Sequence, residues 1–118
     1  MHIILPNNLS KNIDNSISKL PEGNIEIMTH RAKWLVSYLY DKSIRVSGLA
    51  GERIGIQAKV LRKKLGRHYK AIIMQLETDS LIHISKGYSD NQTKTYWVDP
   101  RYLDGELNVI KINMEIEN

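Results

Sequence analysis

Apolar positions along the chain change their spacing twice, and those changes mark out the elements. Leu9, Ile13, Ile17 and Leu20 recur at intervals of four, four and three among Ser, Asn and Lys. That spacing predicts an amphipathic helix over residues 9–20, weakened by the poor helix propensity of Asn and Ser. Ahead of it, His-Ile-Ile-Leu at residues 2–5 predicts a short strand, stopped at Pro6-Asn7-Asn8. Pro21-Glu22-Gly23-Asn24 predicts a turn. Helical spacing returns over residues 29–44, where Ala32, Leu35, Val36 and Leu39 form one stripe and Trp34 and Tyr38 adjoin it. Thr29 is the N-cap that this pattern suggests. Gly48 and Gly51 break the helix. A second one is predicted over residues 56–65, with Ile56, Val60, Leu61 and Leu65 as its apolar stripe. Gly66 follows where the chain must take positive φ. A third covers residues 68–79, with Tyr69, Ile72, Ile73 and Leu76 on its buried face. After Asp79-Ser80 the period drops to two. Leu81-Ile82-His83-Ile84 and residues 93–98 (Thr-Lys-Thr-Tyr-Trp-Val) predict two strands joined by a polar loop, and Asp99-Pro100 ends the second. Ile110, Ile112, Met114 and Ile116 alternate with Lys111, Asn113 and Glu115, the pattern of a one-sided strand.

Composition adds bounds to this outline. The 118 residues suit a single domain, with 42% apolar and 25% charged residues, as expected of a soluble globular protein. No apolar run approaches the roughly 18 residues that a transmembrane helix needs. Residues 1–6 lack the basic and apolar regions of a secretory signal. The chain has no cysteine. Disulfides, thiolate metal sites and cysteine nucleophiles are thereby excluded, and a reducing, cytoplasmic location is expected.

Charge changes the picture most. The formal net charge is only +4. Residues 53–70, however, hold seven basic side chains (Arg53, Lys59, Arg62, Lys63, Lys64, Arg67 and Lys70) and no acid, which leaves −3 on the remainder. Ordinary solvated faces interleave both signs. An acid-free window of this kind is the footprint of a polyanion partner.

Candidate chemistry is sparse. His2, His30, His68 and His83 show no metal-ligand spacing. Asp79, Asp90 and Asp99 lack the spacing of a paired-carboxylate or two-metal site. Gly48-Leu49-Ala50-Gly51 is not followed by the Lys-Ser or Lys-Thr of a phosphate-binding loop. Binding rather than catalysis is expected, with no metal and no cofactor.

Three helices followed by a β-hairpin is the element order of a winged helix-turn-helix domain. Val60-Leu61-Arg62-Lys63-Lys64-Leu65-Gly66, Ile72, Leu76 and Leu81-Ile82 carry the resemblance. Leu61, Leu65 and Gly66 match the family's helix end before the turn, and Leu81-Ile82 match the start of the wing. The chain resembles this DNA-binding family over residues 29–98. Parts of it, including Lys86-Gly87-Tyr88, also resemble proteins of phage and plasmid replication systems. Two departures stand out. Arg62 replaces a common alanine, and the stretch from Gly66 to Leu76 is about three residues shorter than in many members. The turn must be tight, or the third helix must begin almost at once.

The resemblance implies an α+β winged helix-turn-helix fold: a three-helix core, a hairpin wing, and short flanking N- and C-terminal strands in extensions 1–28 and 99–118. It implies sequence-dependent binding to double-stranded DNA, in transcription regulation or replication initiation, including that of a phage or mobile element. His68, Lys70, Ala71, Met74 and Gln75 would face the major groove, Gln75 pairing with adenine. Arg67 would reach guanine or a phosphate. Lys59, Lys63 and Lys64 would hold phosphates, with Arg53 before them, and Lys86, Tyr88 and Lys94 would supply wing contacts.

Plainer readings stand beside these. Lys63 and Lys64 also read as a solvated helix face, Gln75 as an ordinary surface residue, and Tyr88 as a packing residue of the hairpin. Trp34, Trp97 and Tyr69 are expected in or near the core. A winged helix also serves as a protein-interaction module, and the basic window would then meet an acidic partner. A homodimer through residues 1–20 and 105–117 is a further expectation; alternatively, those two segments pair with each other.

Overall fold

Burial, more than propensity, decides where the helices of this chain lie. The computed structural model describes residues 5–46, 54–86 and 93–103. In order they form α1 (Asn7–Ile17), α2 (Ile25–Val46), β1 (Ile54–Gln57), α3 (Ala58–Leu65), α4 (Tyr69–Thr78), β2 (Ile82–Lys86), β3 (Thr93–Val98) and a 3-10 turn at Pro100–Tyr102. The architecture is α+β, four helices against a three-stranded antiparallel sheet.

The first helix is built from Asn, Ser and Lys with one apolar stripe. Leu9, Ile13 and Ile17 in that stripe are fully buried, and α1 packs against α2 and α4. Tertiary packing thus outweighs the weak propensity of its polar residues. Lys33 on α2 bridges to Asp14 on α1 at 2.8 Å. Residues 7–17 are therefore part of the main core, where the sequence suggested an extension outside it. Of the two segments suggested for dimer contact, the first is largely spent on the core and residues 105–117 lie outside the described residues. Residues 1–4, the loop 87–92 and the alternating segment 110–116 also lie outside them. Leu5 is half-buried and belongs to no strand.

The second helix starts four residues earlier than Thr29. The Asn24 side chain accepts a hydrogen bond from the Ile27 N–H at 3.1 Å, and the Met28 N–H reaches the Asn24 carbonyl at 2.9 Å. Asn24 is thus the cap, and Thr29 sits inside the helix. The apolar pattern hid this turn because Ile25 and Ile27 are exposed. The expected stripe of Ala32, Leu35, Val36 and Leu39 is buried, joined by Met28 and Tyr40.

The predicted helix over residues 56–65 divides in two. Ile54 and Ile56 alternate around Gly55 as a strand, opposite Tyr96 and Lys94 of β3. Helix α3 begins only at Ala58, with Gln57 extended before it. Ile56 is buried through the sheet, while Val60 stays 40% exposed. Gly66 then takes φ 80° and ψ −166°, a region open essentially to glycine alone. The Arg31 guanidinium donates to the Leu65 carbonyl at 3.1 Å and fills the space a side chain at Gly66 would need. The turn consists of Gly66, Arg67 and His68, and α4 begins at once with Tyr69, as the short spacing required.

The sheet order is β1-β3-β2. Ile82 pairs with Val98, Ile84 with Tyr96 and Lys86 with Lys94. Tyr96, Val98 and Ile82 face the helices and are buried. The other face is polar: Ser85 and Thr95 hydroxyls lie 2.6 Å apart, and His83 lies against Trp97. No helix among the described residues is long and apolar enough to cross a membrane.

Candidate nucleic-acid interface

Leu61 and Leu65 anchor α3 in the core, and this fixes the direction of every other side chain on it. Lys59 and Lys63, one turn apart, point to solvent from the side opposite the anchors. Arg62 leans toward α4, with its guanidinium carbon 5.6 Å from the Tyr69 ring centroid. Lys64 leans toward α2, with Nζ 5.7 Å from the Trp34 ring centroid. The three lysines thus serve two directions.

On α4, Ile72, Ile73 and Leu76 are buried, and the outward side presents Lys70, Ala71 and Met74. Met74 is 66% exposed. No side chain caps the start of this helix and no acid lies in its first turn. Its dipole therefore adds positive potential beside Lys70. Arg67 is exposed, with Nε 3.3 Å from His68 Nε2. His68 is half-buried against the turn at Gly23.

Gln75 is turned elsewhere. It is half-buried toward α1, its side-chain amide donates to the Asp79 carboxylate at 3.1 Å, and its backbone carbonyl accepts from Ser16 Oγ at 3.3 Å. Reading a base would require it to leave Asp79. Lys94 on β3 lies within electrostatic reach of Tyr69, and Lys86 is its register partner across the hairpin. Arg53 and Tyr88 lie outside the described residues.

Two residues of this surface escaped the sequence reading. Tyr69 was expected in the core but is half-exposed, and Arg62 was counted in the basic window and noted as a departure from alanine, with no contact assigned to it. The Arg62 guanidinium beside Tyr69 holds its phenol below the ordinary tyrosine range. Partial desolvation opposes this, and the Lys70, Arg62 and Lys94 charges reinforce it. Tyr96 behind it is pushed up, first by burial and then by Glu77 and Tyr69. The available signal was the seven-residue step from Arg62 to Tyr69 across a three-residue turn. Trp34 and Tyr38 stack at 5.7 Å on α2 and are half-buried, in line with the near-core expectation, as is Trp97.

Among the described residues, none of Lys59, Arg62, Lys63, Lys64, Arg67, Lys70 and Lys94 is bridged to a carboxylate, whereas Lys19, Lys33 and Arg101 are bridged to Asp79, Asp14 and Asp99. Lys19, Asp79 and Arg101 line an open cleft of about 350 Å³ together with Asn12 and Ser16. Both of its cations are engaged, Lys19 with Asp79 and Arg101 with the Ser80 carbonyl and the Tyr102 hydroxyl. No group of three His, Asp or Glu side chains converges as a metal site among the described residues. Comparison of the chain with protein-family models, curated proteins and solved structures finds no match.

Proposed function

We propose that this chain is a winged helix-turn-helix protein that binds double-stranded DNA and regulates transcription or initiates replication. The order helix–strand–helix–helix–strand–strand, with β1 beside β3, supports the fold reading. The observation that carries the functional reading is the set of cations on α3, on α4 and on the adjoining strand β3 that have no carboxylate partner among the described residues. Carboxylates neutralise lysines elsewhere in the molecule, so the unpaired set is open to an external polyanion.

In this mechanism α4 enters the major groove. Lys70 contacts the backbone, and Ala71 and Met74 offer apolar contact to thymine methyl groups. Lys59 and Lys63 neutralise phosphates flanking the groove, and Lys94 brings the wing to the same strand. Affinity then comes chiefly from counterion release, and specificity from the few groups on α4.

The test is a duplex titration by fluorescence anisotropy at several salt concentrations. With about six phosphate contacts, affinity should fall by roughly a thousandfold between 50 and 200 mM salt. Affinity that ignores salt would overturn the proposal. Binding to an acidic protein with none to duplex would favour the interaction-module reading instead.

A further inference from the structure

Arg62 on α3 meets Tyr69 on α4 across the short turn, and Lys70 on α4 and Lys94 on β3 lie within electrostatic reach of the same phenol. Tyr69 is central. It is the first residue of α4, placed there by the short turn after Gly66. Its ring lies under the Arg62 guanidinium, whose carbon is 5.6 Å from the ring centroid. The phenol keeps its own O–H proton. A hydroxyl beside cations is a stronger donor, because nearby positive charge favours the loss of its proton. Lys70 on its own helix and Lys94 on β3 are the other cations facing it. Glu77, which acts on Tyr96 behind the ring, is the nearby acid.

We infer that Arg62, the Tyr69 hydroxyl and Lys94 together seat a single backbone phosphate of the bound duplex, clamping the wing strand to the helix pair. This rests on the DNA-binding reading and assigns one phosphate within it. The phosphate would accept from the Tyr69 hydroxyl and from Arg62, while Lys94 closes the seat from the sheet. A charged acceptor suits this donor set, since hydrogen bonds to ionised groups are about twice as strong as neutral ones. The seat also accounts for Arg62 in place of a small residue, because alanine there would remove the guanidinium that lies over the Tyr69 ring.

The experiment compares the full chain with Tyr69→Phe, Arg62→Met, the double variant and Lys63→Ala, by duplex binding over a salt series. Tyr69→Phe should bind about tenfold more weakly with an unchanged salt slope, because a neutral donor releases no counterion. Arg62→Met should weaken binding and lower the slope by about 0.9. The double variant should lose less than the two single losses combined, since the groups act on one phosphate. Lys63→Ala should combine additively with Tyr69→Phe. Circular dichroism melts check that the half-exposed position tolerates phenylalanine. A pH series gives a second readout. Binding by the unaltered chain should weaken as Tyr69 ionises below the ordinary tyrosine range, and Tyr69→Phe should lack that early loss. Binding by Tyr69→Phe equal to the unaltered chain, or additivity of the double variant, would overturn the seat alone. No salt-dependent duplex binding by the unaltered chain would overturn both the seat and the reading beneath it.

Discussion

Two polar regions of this protein use the same residue types to opposite ends. Around the C-terminal end of α1, Lys19 meets Asp79 at 3.1 Å, Asp79 accepts from Gln75, and Ser16 donates to the Gln75 carbonyl. Nearby, His83 and the Arg101 backbone N–H both reach Asp99. Every cation there is matched, and the groups tie α1, α4 and the 3-10 turn together. On α3, α4 and β3 the cations have no carboxylate partner among the described residues, and they lean on aromatic rings or on solvent. A matched cation has given up its field to a neighbour and contributes little to an outside polyanion. An unmatched one costs the fold some repulsion and keeps its field available. The difference lies in the acids, not in the bases.

Reversing charge on the unmatched side breaks the comparison most directly. Lys59, Lys63 and Lys64 changed together to Glu should weaken duplex binding by roughly a hundredfold or more and lower the salt slope by about three. All three side chains are exposed, so the helical signal should be unchanged. Retained binding would move the interface off α3. A smaller but still large effect should follow from geometry alone. Gly66→Ala forces a side chain into a glycine-only conformation and displaces the Arg31 cap from Leu65, at a cost of about 1–3 kcal/mol. A thermal melt reads the loss of stability. Duplex binding should fall as well, because this turn sets Arg62 against Tyr69.

The sequence was a good guide to the matched core and a poorer one to the open face. The aliphatic stripes of α2 and α4, the positive φ at Gly66 and the strand pair near the C-terminal end were legible, because burial imposes a period that side chains must obey. Two misplaced helix starts, those of α2 and α3, share a cause. Ile25, Ile27 and Val60 are exposed, so they carried no true phase, and each blurred a helix start. Ile54 and Ile56 pack against β3, a partner about forty residues away that local spacing does not reveal. The basic window was legible as charge. The pairing that distinguishes it from other lysines was not, since Lys19 finds Asp79 only in three dimensions. Gln75 shows the same limit, for its place on α4 suggested the groove while Asp79 draws it toward α1.

The smallest expected effect is the sharpest check on whether pairing decides the role of a lysine. Lys19 is 58% exposed and bound to Asp79, so Lys19→Ala should change stability by only about 0–1 kcal/mol. It should leave duplex affinity and salt slope where they were, whereas Lys63→Ala, also a loss of one exposed lysine, should lower the slope by about 0.9. The Asp79 carboxyl tells the two apart from the other side. Hydrogen bonds from Ser16, then Gln75, then Lys19 hold it below the ordinary carboxylate range, against the opposing effect of burial. Its contribution to stability is therefore present above the unfolded carboxylate value of about 4 and lost as pH falls through the lower, folded value. Denaturation followed down that acid limb should show a flatter pH dependence in Asp79→Asn than in the unaltered chain. Lys63→Ala should leave the limb unmoved, since its ammonium pairs with no carboxylate among the described residues. A slope change from Lys19→Ala as large as that from Lys63→Ala would mean that a paired lysine still serves the polyanion, and the distinction between the two regions would fail.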